Sequence, residues 1–175
     1  MTLDRDPSLV GISSQPMWIH WPKGPTPGAH APDYFVRHRN GDGEIIDVRP
    51  ESLIDDATAA VFDATRRLCA EAGFRYTVVS ELDRELDRNL KFLSRYRGDA
   101  WASSFAELYR VASGAASVSV RDLAERLSPH ADLSHGLGCV YWLIWQNIVG
   151  ADLARPLSLQ SQLTIRAEVD RWPSG

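Results

Sequence analysis

The chain has 175 residues, 44% hydrophobic and 24% charged, with a net charge of −4. Those values fit an ordinary soluble globular protein of one moderate domain or two small ones. They exclude a global basic field for nucleic acid, so any DNA contact is local or delivered by a partner.

Residues 1–7 lack the basic and apolar regions of a signal peptide. Across residues 10–21, two apolar runs broken by Gln15-Pro16 predict strand, turn, strand. The Pro/Gly-rich stretch 22–27 predicts an exposed hairpin loop. Residues 33–38 read as a strand, Asn40-Gly41-Asp42-Gly43 as a tight turn, and 44–49 as the returning strand. Pro50 ends that strand, and a helix is predicted from Ser52, with Leu53, Ala57, Ala60, Val61, Ala64 and Leu68 at helical spacing and Gly73 as its stop. Residues 74–80 alternate as a strand with Tyr76 and Val78 on one face, and 85–96 form a helix with the stripe Leu86, Leu90, Leu93. The order hairpin, helix, strand, helix predicts a mixed α/β (α+β) unit with a small sheet.

The character changes at Gly98-Asp99, which places a boundary near Arg97. Residues 101–112, 120–127 and 137–149 look helical, with Ser119 as a cap and Asp122 at the third helical position of the second. Two short extended pieces, 151–156 and 159–167, complete a winged-helix-like pattern. The longest apolar stretch, 140–149, is too short and broken to span a bilayer, so no membrane partner is expected. Cys69 and Cys139 form neither a CxxC nor a His-paired spacing, which argues against a zinc ribbon or disulfide scaffold. They read as two buried thiols in a reducing compartment, the cytoplasm.

The strand 44–49 carries the chemistry. Its alternation puts Ile45, Asp47 and Arg49 on one face and Ile46 and Val48 on the other. A carboxylate and a cation on one face of a buried strand are costly to desolvate unless they pair or act. The partner strand opens with Pro32-Asp33, which brings a second carboxylate near Asp47. Two convergent carboxylates can hold Mg²⁺ with water, and a nearby cation can stabilise developing phosphate charge. A structural Asp47–Arg49 pair, with Asp33 capping a turn, would give the same letters.

The pattern Pro32-Asp33 … Asp47-Val48-Arg49 is that of the PD-(D/E)xK nucleases. Beside it stand Val10-Gly11-Ile12-Ser13-Ser14-Gln15-Pro16, His30-Ala31-Pro32-Asp33-Tyr34, Ile46-Asp47-Val48-Arg49-Pro50, Asn89-Leu90-Lys91-Phe92-Leu93-Ser94-Arg95-Tyr96-Arg97 and the later Ala151-Asp152-Leu153-Ala154-Arg155-Pro156-Leu157-Ser158. In order and separation this set resembles the blocks of the TnsA-like endonuclease subunits of heteromeric bacterial transposases. The resemblance implies a restriction-endonuclease-like mixed sheet with flanking helices in residues 1–97, followed by a winged-helix-like domain in 98–175. It also implies metal-dependent cleavage of double-stranded DNA at transposon ends, in the bacterial cytoplasm, with Mg²⁺ (or Mn²⁺) as cofactor and a transposase subunit and an AAA+ ATPase as partners. Carried over, Asp33 and Asp47 are metal ligands and catalytic, and Arg49 stands at the position of the catalytic lysine. Arginine does not deprotonate as a base, but it can clamp a scissile phosphate. The family also supplies a glutamate from a helix ahead of the first strand. Residues 1–7 hold no such helix, which predicts a shortened or inactive form, with Asp4 and Asp6 as stand-ins or as surface residues of a flexible terminus.

His30 could reach a phosphate or make a structural hydrogen bond. Lys91, Arg95 and Arg97 are further candidates for DNA phosphates, although Glu81, Asp83, Glu85 and Asp87 are interleaved with Arg84 and Arg88 as on a solvated, salt-bridged helix. His130 and His135 have no partners that complete a metal site. Trp101, Tyr141, Trp142 and Trp145 suit core packing or a protein interface. Six basic against eight acidic residues in 98–175 favour docking to protein over reading DNA.

Overall fold

At Gly41 φ is +94°, and Asn40 Oδ1 accepts the Asp42 N–H at 3.0 Å. This turn closes the hairpin of β4 (Tyr34–His38) and β5 (Gly43–Val48), as the Asn-Gly step predicts. Gly43 admits no side chain, because a Cβ there would lie 2.8 Å from the ring of Phe74 and 2.9 Å from that of Phe35. The computed structural model describes residues 2–22, 28–101, 110–111, 117–128 and 132–165. The chain is mixed α/β, and it divides into two compact units, 6–81 and 1–5 together with 82–175.

In the first unit, β1 (Leu9–Ser14) pairs antiparallel with β4, β4 antiparallel with β5, and β5 parallel with β6 (Arg75–Val79), giving the order β1-β4-β5-β6. A separate short ribbon joins β2 (Ile19–His20) to β3 (Ala29–His30). A parallel neighbour requires a crossover, and α1 (Asp56–Ala72) supplies it. Asp55 caps α1 by accepting the Thr58 N–H, and Gly73 closes it in the left-handed region at φ +75°. The helix therefore begins later than Ser52. Glu51–Leu53 is a 3-10 turn, and Leu53 is exposed. The buried face of α1 is Val61, Phe62, Thr65 and Cys69, while Ala57, Ala60 and Leu68 are exposed.

In the second unit, α2 (Arg84–Leu93) buries Leu90 and Leu93, and Leu93 joins the core formed with α3 (Val120–Leu127) and α4 (Leu133–Trp145). That packing assigns α2 to this unit and sets the division between Glu81 and Leu82, ahead of the boundary expected near Arg97. Ser119 caps α3 through the Asp122 N–H, as expected. Asp132 caps α4, which starts before residue 137 and stops before 149 because Val149 belongs to β8 (Val149–Ala151). With β7 (Val118–Ser119) and β9 (Gln162–Ile165), β8 forms a sheet of order β7-β9-β8. Most of the helix expected over 101–112, His130 and most of the loop 22–27 lie outside the described residues.

Trp142 and Trp145 are buried, and the Tyr141 ring lies 4.9 Å from that of Phe92 and 5.0 Å from that of Tyr96, which is core packing. The start of the chain is pinned rather than loose. Arg5 donates to the carbonyls of Ile144 and Trp145 at the end of α4 and to Asn147 Oδ1 at 2.6–3.0 Å. Both cysteines are free and buried. Among the described residues no helix is long and apolar enough to cross a membrane.

Candidate functional site

Strand register decides which acids meet. Tyr34 stands opposite Ile46 in the antiparallel pair, so the residue before the first, Asp33, falls opposite the residue after the second, Asp47. The Asp33 N–H donates to Asp47 Oδ1 at 3.2 Å, and the Val48 N–H donates back to Asp33 Oδ2 at 2.7 Å. The two carboxylates share one face of the sheet, the one covered by α1, as alternation predicts. Gln15, at φ +45° after β1, donates its N–H to the Asp33 carbonyl at 2.8 Å and so steadies the same corner.

Asp47 is 2% exposed, which an isolated charge could not tolerate. Its Oδ2 accepts from His30 Nε2 at 2.8 Å and from the Tyr76 hydroxyl at 2.6 Å. Burial pushes the Asp47 carboxyl up, but the His30 and Tyr76 hydrogen bonds, with the charge of a protonated His30 and the Asp33 N–H, outweigh it and hold the group below its ordinary value. The same burial and the adjacent carboxylate push the Tyr76 phenol well above its usual range, so it remains a donor. A carboxylate can only accept, so His30 carries its proton on Nε2. Parallel pairing of β5 with β6 aligns Ile45 with Tyr76 and Asp47 with Val78, bringing the phenol to the carboxylate. The His30 ring, 17% exposed, lies edge-on to Phe62 of α1 at 6.4 Å.

These groups open onto a cleft of about 430 Å³, lined by His30, Asp33, Asp47, Arg49, Asp55 and Phe62 among others. Arg49 lies just past the end of β5 rather than within the strand, and it is exposed. Its Nε donates to the Leu53 carbonyl at 3.3 Å, and among the described residues it makes no ion pair with Asp47. Asp55 is held below its ordinary value by the Thr58 hydrogen bonds, with a smaller contribution from Arg49. Its capping role turns the N-terminus of α1 away from anions.

The sequence-predicted residues therefore separate into two groups. Asp33, Asp47, Arg49 and His30 line one cleft of the first unit. Lys91, Arg95 and Arg97 are exposed residues of the second, and Lys91 pairs with Asp87 at 2.6 Å, the i,i+4 bridge of a solvated helix face. Asp6 does not line the cleft, and Asp4 belongs to the second unit. The sequence reading missed Tyr76 and Asp55. Tyr76 enters through parallel pairing across a helical crossover, a register with no local sequence signal. Asp55 was passed over because the helix was expected to begin at Ser52, ahead of it.

As a donor set, the cleft offers the hard carboxylates of Asp33 and Asp47, with a third, Asp55, committed to capping α1, and among the described residues no three His, Cys, Asp or Glu side chains form a metal-holding group. Mg²⁺ suits such a set, because it keeps several of its waters and binds through one or two carboxylates. Asp33 uses one acceptor position of its carboxylate among the described residues, on Oδ2, and is half-buried at the cleft wall. In comparison with known proteins, the chain matches no protein-family model and no curated protein.

Proposed function

We propose that residues 6–81 are a PD-(D/E)xK-type nuclease unit and that the chain is a TnsA-like endonuclease subunit. In this reading it hydrolyses phosphodiesters at transposon ends together with a transposase and an AAA+ ATPase. The observation that carries this reading is that Asp33 and Asp47 stand opposite each other and, with Arg49, line one cleft. A mixed sheet with antiparallel, antiparallel and then parallel neighbours, closed by a helical crossover, supports the restriction-endonuclease-like fold. The order β7-β9-β8 around α3 and α4 supports a winged-helix domain. Because α4 packs Trp142, Leu143 and Ile144 into the core, that face is not free to read a groove, and the acidic balance of 98–175 favours protein docking.

Asp33 and Asp47 would hold Mg²⁺, which supplies an activated water and neutralises phosphate charge. Arg49 contributes as a phosphate clamp: its Nε is committed to the Leu53 carbonyl, and its terminal nitrogens have no acceptor among the described residues. His30 and Tyr76 keep Asp47 ionised and oriented. With a net charge of −4, DNA must be brought to the cleft by the partner subunits. The protein combined with its partners and Mg²⁺ is expected to nick DNA at an element end, and Asp33→Ala and Asp47→Asn to abolish nicking while remaining folded. Normal cutting by both variants would refute the site.

A second reading, a nuclease-fold scaffold without activity that recruits the same partners, is favoured by the arginine at the lysine position and by the hydrogen bonds already held by Asp47. It predicts tight partner binding with no cleavage and no stabilisation by divalent ions.

A further inference from the structure

A carboxylate offers about four acceptor positions, two on each oxygen. At Asp47 the His30 imidazole and the Tyr76 hydroxyl take both positions on Oδ2, and the Asp33 N–H takes one on Oδ1. A single position, on Oδ1, remains. Asp33, by contrast, uses one position among the described residues, on Oδ2. The two acids are thus unequal, one open and one nearly saturated.

We infer that Tyr76 and His30 are positioning residues that restrict Asp47 to binding a divalent ion through one oxygen, and that they thereby set which ion the cleft accepts. The inference rests on the proposed metal site. Mg²⁺ and Mn²⁺ tolerate single-oxygen carboxylate ligands in a tight octahedron, whereas Ca²⁺ takes more oxygens, often both from one carboxylate, in looser geometry. Neither donor touches the ion in this scheme. They act by occupying the oxygen that a two-pronged grip would need, and by fixing the plane of the carboxylate. Outer partners of this kind commonly change metal affinity by about 10–100-fold when removed.

The test is calorimetric titration of the full chain with Mg²⁺, Mn²⁺ and Ca²⁺, each alone, for the native protein, Tyr76→Phe and His30→Ala. Thermal melts confirm that each variant is folded, and the two variants remove different donors to the same oxygen, so either one suffices. Tyr76→Phe is expected to weaken Mg²⁺ and Mn²⁺ about tenfold while Ca²⁺ weakens less or tightens, moving the affinity ratio towards Ca²⁺ several-fold; His30→Ala moves it the same way. Equal weakening of all three ions, or no change, would mark both residues as merely structural and overturn the inference, with the two-carboxylate site intact. Ion binding that is absent from the native protein, or that survives Asp33→Ala unchanged, would overturn the proposed function and this inference with it.

Discussion

At the scale of single residues, the asymmetry between the two acids has a stability consequence. Removing Asp47 leaves the His30 N–H, the Tyr76 hydroxyl and the Asp33 N–H without their acceptor in a buried corner. Asp47→Ala is therefore expected to cost about 3 kcal/mol. Asp33→Ala orphans one N–H, that of Val48, and should cost about 1 kcal/mol. Urea unfolding of the two variants measures the difference, and equal losses would contradict the acceptor count. On the opposite face of the sheet, Glu44 accepts from Thr77 at 2.6 Å and from His38 at 2.9 Å, with Arg75 nearby. Partial burial raises its carboxyl, but those two hydrogen bonds, with the Arg75 and His38 charges, outweigh it and leave it below the ordinary value. A depressed carboxyl contributes stability above its unfolded pKa and loses it as pH falls through the folded one. The urea midpoint of the native protein should thus drop between about pH 5 and pH 3, and Glu44→Gln should drop less over the same interval.

Among the elements, the contact of α3 with α4 is the least forgiving. A Cβ at Gly136 would lie 2.1 Å from the Ala124 carbonyl oxygen, which is backbone and cannot swing aside. Gly136→Ala should force the helices apart at a cost of about 3 kcal/mol, read as a shifted denaturant midpoint. Wild-type stability in that variant would contradict so close a crossing of the two helices. Much at this scale was legible in the sequence. The Asn40-Gly41 turn, the alternation of 44–48, the stop at Gly73 and the Ser119 cap are local chemistry, and each appears where it was expected. The starts of α1 and α4 were not: the apolar spacing from Leu53 runs past the capping acid Asp55, whereas Asp132 caps a first turn, Leu133 to Gly136, that carries a single large apolar side chain. A hydrophobic stripe shows that a helix is there; a cap shows where it begins.

Across the whole molecule, the sequence located the acids better than it located their surroundings. Asp33 was expected near Asp47 because the partner strand opens with Pro32-Asp33 and because the pattern resembles the PD-(D/E)xK motif, and the strands bring the two opposite each other. The assignment of α2 was missed because Leu90 and Leu93 would look the same against a sheet or against helices, and only packing distinguishes the two. Tyr76 was missed because parallel pairing joins residues far apart in sequence. The central claim remains that the two facing carboxylates act on a single divalent ion. It is tested most directly by soaking crystals of the protein in Mn²⁺ and collecting data at the manganese absorption edge. A single anomalous peak between the carboxylates of Asp33 and Asp47, lost in Asp33→Ala, is the expected result. A peak elsewhere, or none at millimolar Mn²⁺, would contradict it.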